Sequence, residues 1–245
     1  MQPMNDTQAH AVAAQMLQQP FKAVVIGSSG AIGQAFVRAL EKEPHCVRVH
    51  AISRAGGSGL DLLDEASMQT QAALAQPLGP FDVVIDATGA LVLGGQMPEK
   101  SLAQLSQDRL LQSLAVNAVG PALVMKHFAP LLVRGPSIYA KLSARVGSIS
   151  DNQLGGWYGY RAAKAALNMY LQTAAIELQR TQPLCRVVAL QPGTVDSALS
   201  KPFQANVANL LTPDASVNGM LQALKQLPIK KGAHFIDHQG RNIAW

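Results

Sequence analysis

The chain has 245 residues, of which 48% are hydrophobic and 14% are charged, so it is long and apolar enough to bury one large core. Its formal net charge is +5, and aromatic residues make up 5% of it. The basic residues are scattered, with Lys230 and Lys231 the only adjacent lysines, and this pattern disfavours a nucleic-acid-binding surface. We interpret the charge as mild steering of small anionic molecules.

The N-terminal stretch lacks a basic segment followed by an apolar one, and no run of about 18 uncharged apolar residues occurs. We therefore predict neither secretion nor a membrane span. Cys46 and Cys185 open apolar runs without metal or redox spacing, which indicates reduced thiols and a cytoplasmic protein. Residues 1–20 are predicted to be a tail, either helical or frayed, and residues 21–245 a single domain.

The first predicted strand covers residues 22–27, a short apolar run that ends in glycine. The sequence GSSGAIG follows, and then AFVRALEKE, whose apolar residues have helical spacing. A strand, a glycine-rich turn and a helix start together present backbone N–H groups and a positive helix end to a pyrophosphate. The turn alone is weak evidence, because most glycine turns only reverse the chain.

A second strand is predicted over residues 47–52. Its end is the place where a dinucleotide-binding fold distinguishes the 2′ position of the adenosine ribose. The residues there are Ser53 and Arg54. Because an arginine pairs with a 2′-phosphate, whereas an acidic residue binds the hydroxyl, the sequence favours NADP(H). The alternative is that Arg54 is a solvated surface residue.

The remaining chain continues to alternate strands and helices. Strands are predicted over residues 59–62, 81–86, 137–142, 185–190 and 234–236, and helices over 64–76, 110–132 and 213–227. This order predicts one Rossmann-like α/β domain, a doubly wound parallel sheet with helices on both faces. In such a sheet ligands bind beyond the carboxyl ends of the strands. Five residues follow strands at that edge: Gly27, Arg54, Gly89, Ser143 and Pro192.

Residues 155–168, with the sequence GGWYGYRAAKAALN, place Tyr160 and Lys164 four residues apart in a predicted helix. Both side chains should leave the same face, one turn (~5.4 Å) apart. A nearby cation favours a phenolate by roughly 1–3 pKa units, so we expect Lys164 to lower the pKa of Tyr160. Chance pairs of this kind also decorate helix surfaces. Asn117, within an apolar helical pattern, is either satisfied locally or functional.

With these motifs the sequence resembles the short-chain dehydrogenase/reductase family from Phe21 onward. The runs SARVGSISDNQLGGWYGYRAAKAALN, MPEKSL and HQGRNIAW resemble its C-factor-like subgroup. The resemblance implies that Tyr160 exchanges a proton with the substrate oxygen, that Lys164 holds the nicotinamide ribose, and that Asn117 positions a water. It also implies a homodimer or a homotetramer.

The resemblance further implies which residues contact the cofactor. They are Gly27, Ser28, Ser29, Gly30, Ile32 and Gly33 at the phosphates, Asp61 and Leu62 at the adenine, Ala87, Thr88 and Gly89 at the adenine ribose, and Pro192, Gly193, Thr194 and Val195 at the nicotinamide amide.

Two departures from the family pattern lie in the cofactor segments. Ile26 stands where the family's turn has a threonine, and Ala31 where it has its middle glycine, with Gly30 one residue earlier. Gly30 can still provide a close backbone approach. The segment that resembles the family's NNAG has the sequence DATG, residues 86–89.

A third departure affects the substrate. Aligned on Gly147, the family serine that hydrogen-bonds the substrate carbonyl corresponds to Ala144. We predict that Ser143 takes its place if the loop is shifted by one residue, and Ser148 is the alternative. Leu154, Trp157, Leu199, Pro202 and Phe203 are candidates for an apolar substrate pocket, although residues 197–211 are equally suited to a mobile lid.

The first functional hypothesis is an NADP(H)-dependent carbonyl reductase or alcohol dehydrogenase acting on a small carbonyl or alcohol, with Ser143, Asn117, Tyr160 and Lys164 as catalytic residues. The alternative is an NADP-binding sensor or C-factor-like signalling protein with low turnover, because Ala144 replaces a hydrogen-bond donor. Isomerase or dehydratase chemistry on a nucleotide-linked sugar is a weaker third option. That chemistry usually needs a larger C-terminal region than the one after Pro192.

Overall fold

The computed structural model describes residues 15–54, 59–205 and 209–245. Within these ranges six strands form one sheet: β1 (Phe21–Ile26), β2 (Cys46–Ile52), β3 (Val83–Asp86), β4 (Ser137–Leu142), β5 (Cys185–Gln191) and β6 (His234–Asp237). Every neighbouring pair is parallel, in the order β2-β1-β3-β4-β5-β6. The chain moves outward from β1 to β2 and then returns to β3. The crevice between β1 and β3 is therefore the switch point at which such sheets bind ligands.

Helices cover both faces of this sheet. They are α1 (Ala31–Glu41), α2 (Glu65–Ala75), α3 (Gln107–Leu114), α4 (Gly120–Phe128), α5 (Tyr158–Leu178) and α6 (Pro213–Gln226). One apolar cluster joins α2, α4 and α5 to one face, through residues such as Met68, Phe128 and Leu167. A second cluster joins α1 and α6 to the other face, through Phe36 and Met220. The predicted doubly wound α/β fold is confirmed.

The prediction of a strand over residues 59–62 was wrong, because this segment forms no strand and leads into a turn at residues 62–63. The Asp61 backbone N–H donates to Ser67 Oγ at 2.9 Å, and Asp61 Oδ1 accepts from the Leu63 N–H at 2.9 Å. The segment's polar groups are thus satisfied locally, at the start of α2, instead of by a neighbouring strand. Asp64 caps α2, since its Oδ1 accepts from the Ala66 N–H at 3.0 Å.

The predicted tail falls partly outside the described residues, which begin at position 15. Met16 and Leu17 form a short 3-10 turn (Met16–Gln18) and are buried in the cluster of α1 and α6. The Arg186 guanidinium, on β5, lies 2.9 Å from the Met16 sulfur. Packing against the sheet therefore begins before Phe21.

The helical run Gln107–Leu131 is long and apolar enough, by length and composition, to cross a membrane. It comprises α3, a π-helical turn at Ala115–Val119, α4 and a final 3-10 turn. Ala118, Val124 and Phe128 are fully buried in the layer against the sheet. This is the packing of a core helix in an α/β fold. The π-turn replaces the regular helix predicted there.

Candidate active site

A cleft of about 400 Å³ opens at the carboxyl ends of the central strands. It brings together residues from five separate segments of the chain. Its lining consists of Ser29, Gly30, Ala31, Ile32, Gly33, Ala87, Thr88, Gly89, Leu142, Ser143, Tyr160, Lys164, Pro192, Ser197, Ala198 and Leu199. Most of the predicted phosphate-binding and catalytic residues therefore share one cavity.

The glycine-rich turn between β1 and α1 is packed too tightly for side chains at two positions. Gly27 has φ +82°, and a Cβ there would lie 3.0 Å from the Ala87 carbonyl carbon. A Cβ on Gly33 would lie 2.1 Å from the Gly27 carbonyl oxygen. Gly30 instead has an ordinary φ of −74°, and Ala31 is simply the first residue of α1. The departure at Ala31 therefore leaves the turn intact.

This turn leaves the positive end of α1 open to an anion. Gly30 precedes the helix without a side-chain cap, and the first turn of α1 contains no acidic residue. The unpaired N–H groups and the helix dipole at such an end favour negative charge. Ser28 belongs to the turn but not to the cleft lining, because its N–H donates to the Ile52 carbonyl at 3.0 Å.

The predicted adenosine end lies beside the turn but outside the 400 Å³ cavity. The Gly27 N–H donates to the Ile52 carbonyl at 2.8 Å, so Ser53 and Arg54 follow immediately next to the turn. Arg54 is exposed and Ser53 half-buried. Leu62 packs against α4, where its carbonyl oxygen would lie 2.6 Å from a Cβ added to Gly120. Asp61 is held in the turn before α2.

The wall formed by residues 86–89 is fixed by a buried ion pair. Lys141 Nζ, on β4, lies 2.9 Å from Asp86 Oδ1 and donates to the Thr88 carbonyl at 2.6 Å. The Thr88 hydroxyl donates to Asp86 Oδ1 at 2.6 Å. The Lys141 and Asp86 side chains are 1% and 0% exposed. Lys141 was not among the predicted site residues, although a lysine inside the apolar run SIYAKL is a visible signal.

Tyr160 and Lys164 lie on the same face of α5, as predicted. Lys164 Nζ is 5.6 Å from the centre of the Tyr160 ring and donates to the Leu142 carbonyl at 3.2 Å. Lys164 is buried, and Tyr160 is half-buried at the cleft. A Cβ on Gly89 would lie 3.6 Å from Lys164 Nζ, so the wall after β3 reaches the same ammonium group.

The pKa values of this pair differ from expectation. Burial, assisted by the charge of Lys141 and opposed by Asp86, lowers the pKa of Lys164 to about 7. Burial raises the pKa of Tyr160 above its ordinary value. The expectation that Lys164 lowers the pKa of Tyr160 is therefore not met, because burial disfavours the phenolate.

Ser143, and neither Ala144 nor Ser148, lines the cleft. Its hydroxyl donates to Asn168 Oδ1 at 2.6 Å and is buried. The Ser148 hydroxyl is engaged elsewhere, because it accepts from the Asp151 N–H at 3.1 Å. Asn168 was missed in the sequence, although it lies four residues after Lys164 and hence on the same helix face.

Asn117 lies in the π-helical turn and is fully buried. Its Oδ1 accepts from the Ala90 N–H at 2.9 Å, and a Cβ on Gly89 would lie 3.1 Å from that oxygen. Among the described residues its Nδ2 finds no hydrogen-bond partner. Asn117 therefore braces the backbone next to Lys164 from behind and does not line the cleft itself.

The start of α5 is held by Glu99, which sequence analysis did not single out. Trp157 precedes the helix with φ +51° and has no side-chain cap, and the first turn of α5 contains no acidic residue. Glu99 Oε2 accepts from the Gly159 N–H at 3.1 Å, and the Glu99 carbonyl accepts from the Trp157 N–H. Arg109 Nε lies 3.6 Å from Glu99 Oε1. A distant carboxylate thus caps the helix that carries Tyr160.

The segment after β5 contributes Pro192 to the cleft, whereas Gly193, Thr194 and Val195 lie outside its lining. The Ser216 hydroxyl donates to the Pro192 carbonyl at 2.6 Å. Gly193 has φ +77°, and Thr194 and Val195 pair with Leu211. This pairing ties the segment to the start of α6.

The predicted apolar pocket forms only in part. Leu199 lines the cleft, and the rings of Trp157 and Phe203 meet edge to face at 4.9 Å. Trp157 also meets the Tyr160 ring, with centroids 6.2 Å apart. Leu154 is 93% exposed, so it does not belong to a pocket.

Comparison with known proteins identifies the family. The family model for short chain dehydrogenases matches residues 21–208. C-signal from Myxococcus xanthus is 33% identical over 168 residues, which cover 68% of this chain and 94% of that protein. The 1-hydroxy-2-glutathionyl-2-methyl-3-butene dehydrogenase from Rhodococcus sp. (strain AD45) is 28% identical over 183 residues, with 75% and 78% covered.

Solved structures share the fold. NADPH-bound carbonyl reductase from chicken fatty liver superposes with a TM-score of 0.78 at 21% identity, covering 93% of this chain and 95% of that one. A short-chain dehydrogenase/reductase from Burkholderia multivorans with bound NADP gives 0.77 at 23% identity, covering 92% and 100%. With the match of the family model, these findings confirm the resemblance, including that to a C-factor-like relative: the chain belongs to the short-chain dehydrogenase/reductase family of oxidoreductases.

Proposed function

We propose that this protein is an NADP(H)-dependent oxidoreductase that interconverts a small carbonyl compound and the corresponding alcohol. The observation that carries the proposal is the meeting of Ser143, Tyr160 and Lys164 with the glycine-rich turn in one cleft. A hydroxyl, a phenol and an amine beside an anion-binding helix end are the groups that this reaction requires. The dehydrogenase from Rhodococcus and the fold shared with carbonyl reductases support the same reaction class.

The residues present fit a dinucleotide phosphate. Gly27 and Gly33 keep the turn free of Cβ atoms at its closest approaches, and α1 begins without a side-chain cap and without an acidic residue in its first turn. Arg54 stands next to the turn, and residues 53–58 contain no acidic residue, which favours a 2′-phosphate over a free hydroxyl. We assign the phosphates to this turn and the nicotinamide ribose to Lys164. When bound, the cofactor supplies or accepts the hydride.

The chain's own residues would handle the proton and the substrate oxygen. The raised pKa keeps the Tyr160 phenol protonated at neutral pH, which is the form that donates a proton to a developing alkoxide. Asn168 holds the Ser143 hydroxyl in the cleft, from which it turns to the substrate oxygen. Asn117 braces the Gly89 backbone, and its unpaired Nδ2 is suited to hold a water in a relay to Lys164.

Substitution Tyr160→Phe tests this assignment. Purified protein is expected to bind NADPH more tightly than NADH, measured by fluorescence titration. The variant should retain that binding while its turnover of a carbonyl panel with NADPH falls to background. The matched control is Tyr158→Phe, which removes a phenol hydroxyl from the same helix at a position outside the cleft lining. Turnover by Tyr160→Phe equal to that of the control would overturn the proposal.

The sensor hypothesis arose from Ala144. Ser143 lines the cleft instead, so the replacement at Ala144 no longer implies a missing hydroxyl. Similarity to C-signal is compatible with either function, since both need the nucleotide. Among the described residues no contact favours the sensor over the enzyme.

We also propose that the protein self-associates, as a homodimer or a homotetramer. Leu167 and Leu171 are buried in the core, whereas Met169 is 64% exposed. A cavity of about 790 Å³ between α4 and α5 has Tyr170 and Ala174 in its lining. Sedimentation velocity on the purified protein measures the assembly directly, and a monomer at micromolar concentration would contradict the proposal.

A further inference from the structure

We propose that the buried pair of Lys141 and Asp86 is a positioning element of the active site, which sets the charge carried by Lys164. Only the expected effect on turnover rests on the proposed function. The charge coupling itself is a property of the protein and is testable without a substrate.

The pair is built inside the sheet. All six residues of β4 are buried, and Lys141 stands opposite Asp86 in the register between β3 and β4. Lys141 Nζ has four acceptors in reach: Asp86 Oδ1 at 2.9 Å, the Thr88 carbonyl at 2.6 Å, the Thr88 hydroxyl at 2.9 Å and the Asp86 carbonyl at 3.5 Å. An ammonium group has three N–H donors, so these partners satisfy the charged form. Pairing of this kind favours the charged form of a buried lysine.

Two backbone segments beside the Lys164 ammonium group are anchored on this pair. The carbonyl that Lys141 binds belongs to Thr88, and a Cβ on the next residue, Gly89, would lie 3.6 Å from Lys164 Nζ. On the other side, Lys141 is followed by Leu142, whose carbonyl accepts from Lys164 Nζ at 3.2 Å. One buried cation therefore holds the two stretches of backbone that position the other cation.

Charged and polar groups from β3, β4, α5 and the π-turn face Lys164. Lys141 projects from β4 and Asp86 from the end of β3, and Tyr160 lies one turn earlier on α5. The π-turn contributes Asn117, an uncharged amide, across Gly89. A like charge disfavours the protonated lysine and a carboxylate favours it. Lys141 therefore acts against protonation of Lys164 and Asp86 for it, the effect of Lys141 being the larger.

The functional consequence is a lysine that changes charge near neutral pH. Burial and the charge of Lys141 bring the pKa of Lys164 to about 7, whereas a free lysine titrates near ~10.4. Lys164 is charged below that value and neutral above it. If the charged form holds the cofactor ribose, reductase activity falls as the pH rises through this range.

The test is a pH titration of the Lys164 side chain by NMR, on full-length protein labelled with [13Cε]lysine, its signal assigned by Lys164→Arg. Three proteins are compared: the natural protein, Asp86→Asn, and the double variant Asp86→Asn/Lys141→Gln, which replaces the ion pair with neutral amides. We expect the midpoint to move to lower pH in Asp86→Asn. In the double variant it should move to higher pH, by about one unit.

Activity and stability are read in parallel. In each of the three proteins, the pH at which kcat/KM with NADPH falls on the alkaline side should shift in the same direction as the NMR midpoint. Tyr139→Phe, a neighbouring change inside β4 whose hydroxyl has no partner among the described residues, should leave the midpoint unchanged. If the double variant does not fold, Asp86→Asn alone decides: an unchanged midpoint would overturn the inference, and a shifted midpoint would support it.

The outcomes separate the two proposals. A single midpoint in all proteins, with only the thermal unfolding temperature changed, would show that the pair is purely structural and overturn the inference, while turnover by the natural protein would leave the proposed function standing. Shifted midpoints in a protein without carbonyl turnover would support the charge coupling and contradict the proposed function.

Discussion

The two sides of the cleft are built in different ways. The glycine-rich turn between β1 and α1 offers backbone groups, and its shape depends on the absence of Cβ atoms at Gly27 and Gly33. The side formed by α5 depends on buried polar side chains that reach across the fold. A backbone site tolerates sequence drift as long as no atom intrudes, which explains why Ala31 is harmless. A site made of side chains, in contrast, loses a contact when one of its residues is replaced or displaced.

The side-chain half is connected over long sequence distances. Ser143 and Asn168 are 25 residues apart, and the carboxylate of Glu99 caps α5 from 60 residues away. Lys164 donates to a carbonyl 22 residues earlier. Each contact joins elements that meet only in the folded chain. Substitutions at these contacts therefore test whether the α5 side of the cleft depends on individual side chains in a way that the glycine-rich turn does not.

The largest expected effect is that of Ser143→Ala. If this side of the cleft works through specific hydroxyls, kcat for carbonyl reduction should fall by ~10²–10³, as when a single oxyanion donor is lost. NADPH affinity should be nearly unchanged. Steady-state kinetics and a cofactor titration measure both quantities.

The neighbouring change Ala144→Ser is the matched control for Ser143→Ala. It adds a hydroxyl outside the cleft lining, so we expect activity within a few-fold of the natural protein. A large gain from near zero would instead show that Ala144 limits catalysis and would favour the sensor hypothesis.

Gly33→Ala tests the backbone half. The added Cβ would lie 2.1 Å from the Gly27 carbonyl oxygen, so α1 or the turn must shift. We expect the free energy of unfolding in urea to fall by about 1–3 kcal/mol. Gly30→Ala in the same turn is the control for stability, because its Cβ would meet Gly27 at an ordinary 3.5 Å. Equal losses in both variants would contradict the requirement for glycine at position 33.

The smallest expected effect concerns the cap of α5. Glu99→Ala removes the carboxylate that accepts from the Gly159 N–H and should lower the free energy of unfolding by about 1 kcal/mol. Glu99→Gln keeps an acceptor and loses only the charge at the helix end, so its loss should be smaller. Urea unfolding measures the free energy of both variants. If that of Glu99→Ala equals that of the natural protein, α5 does not need this cap.

Elements with strong local patterns were predictable. The bounds of β4 follow from a short apolar run, and the start of α6 follows from Pro213, because hydrophobic patterns and helix-start residues are local signals. The segment at residues 59–62 was mistaken for a strand, since two leucines in alternating positions do not reveal where its hydrogen bonds go. The π-turn around Asn117 likewise leaves no local signature.

Sequence by itself determined the fold class, the glycine turn and the spacing of Tyr160 and Lys164, because these depend on local conformation and on periodicity along one element. Tertiary structure alone decided that Ser143 lines the cleft, that Glu99 caps α5 and that Lys141 is buried against Asp86. It also decided the pKa directions of the two groups. The pKa of Tyr160 is raised, opposite to the expectation from the pair alone, and the pKa of Lys164 is lowered. The physical reason is that hydration and charge are set by every element packed around a group, and these elements come from distant parts of the chain.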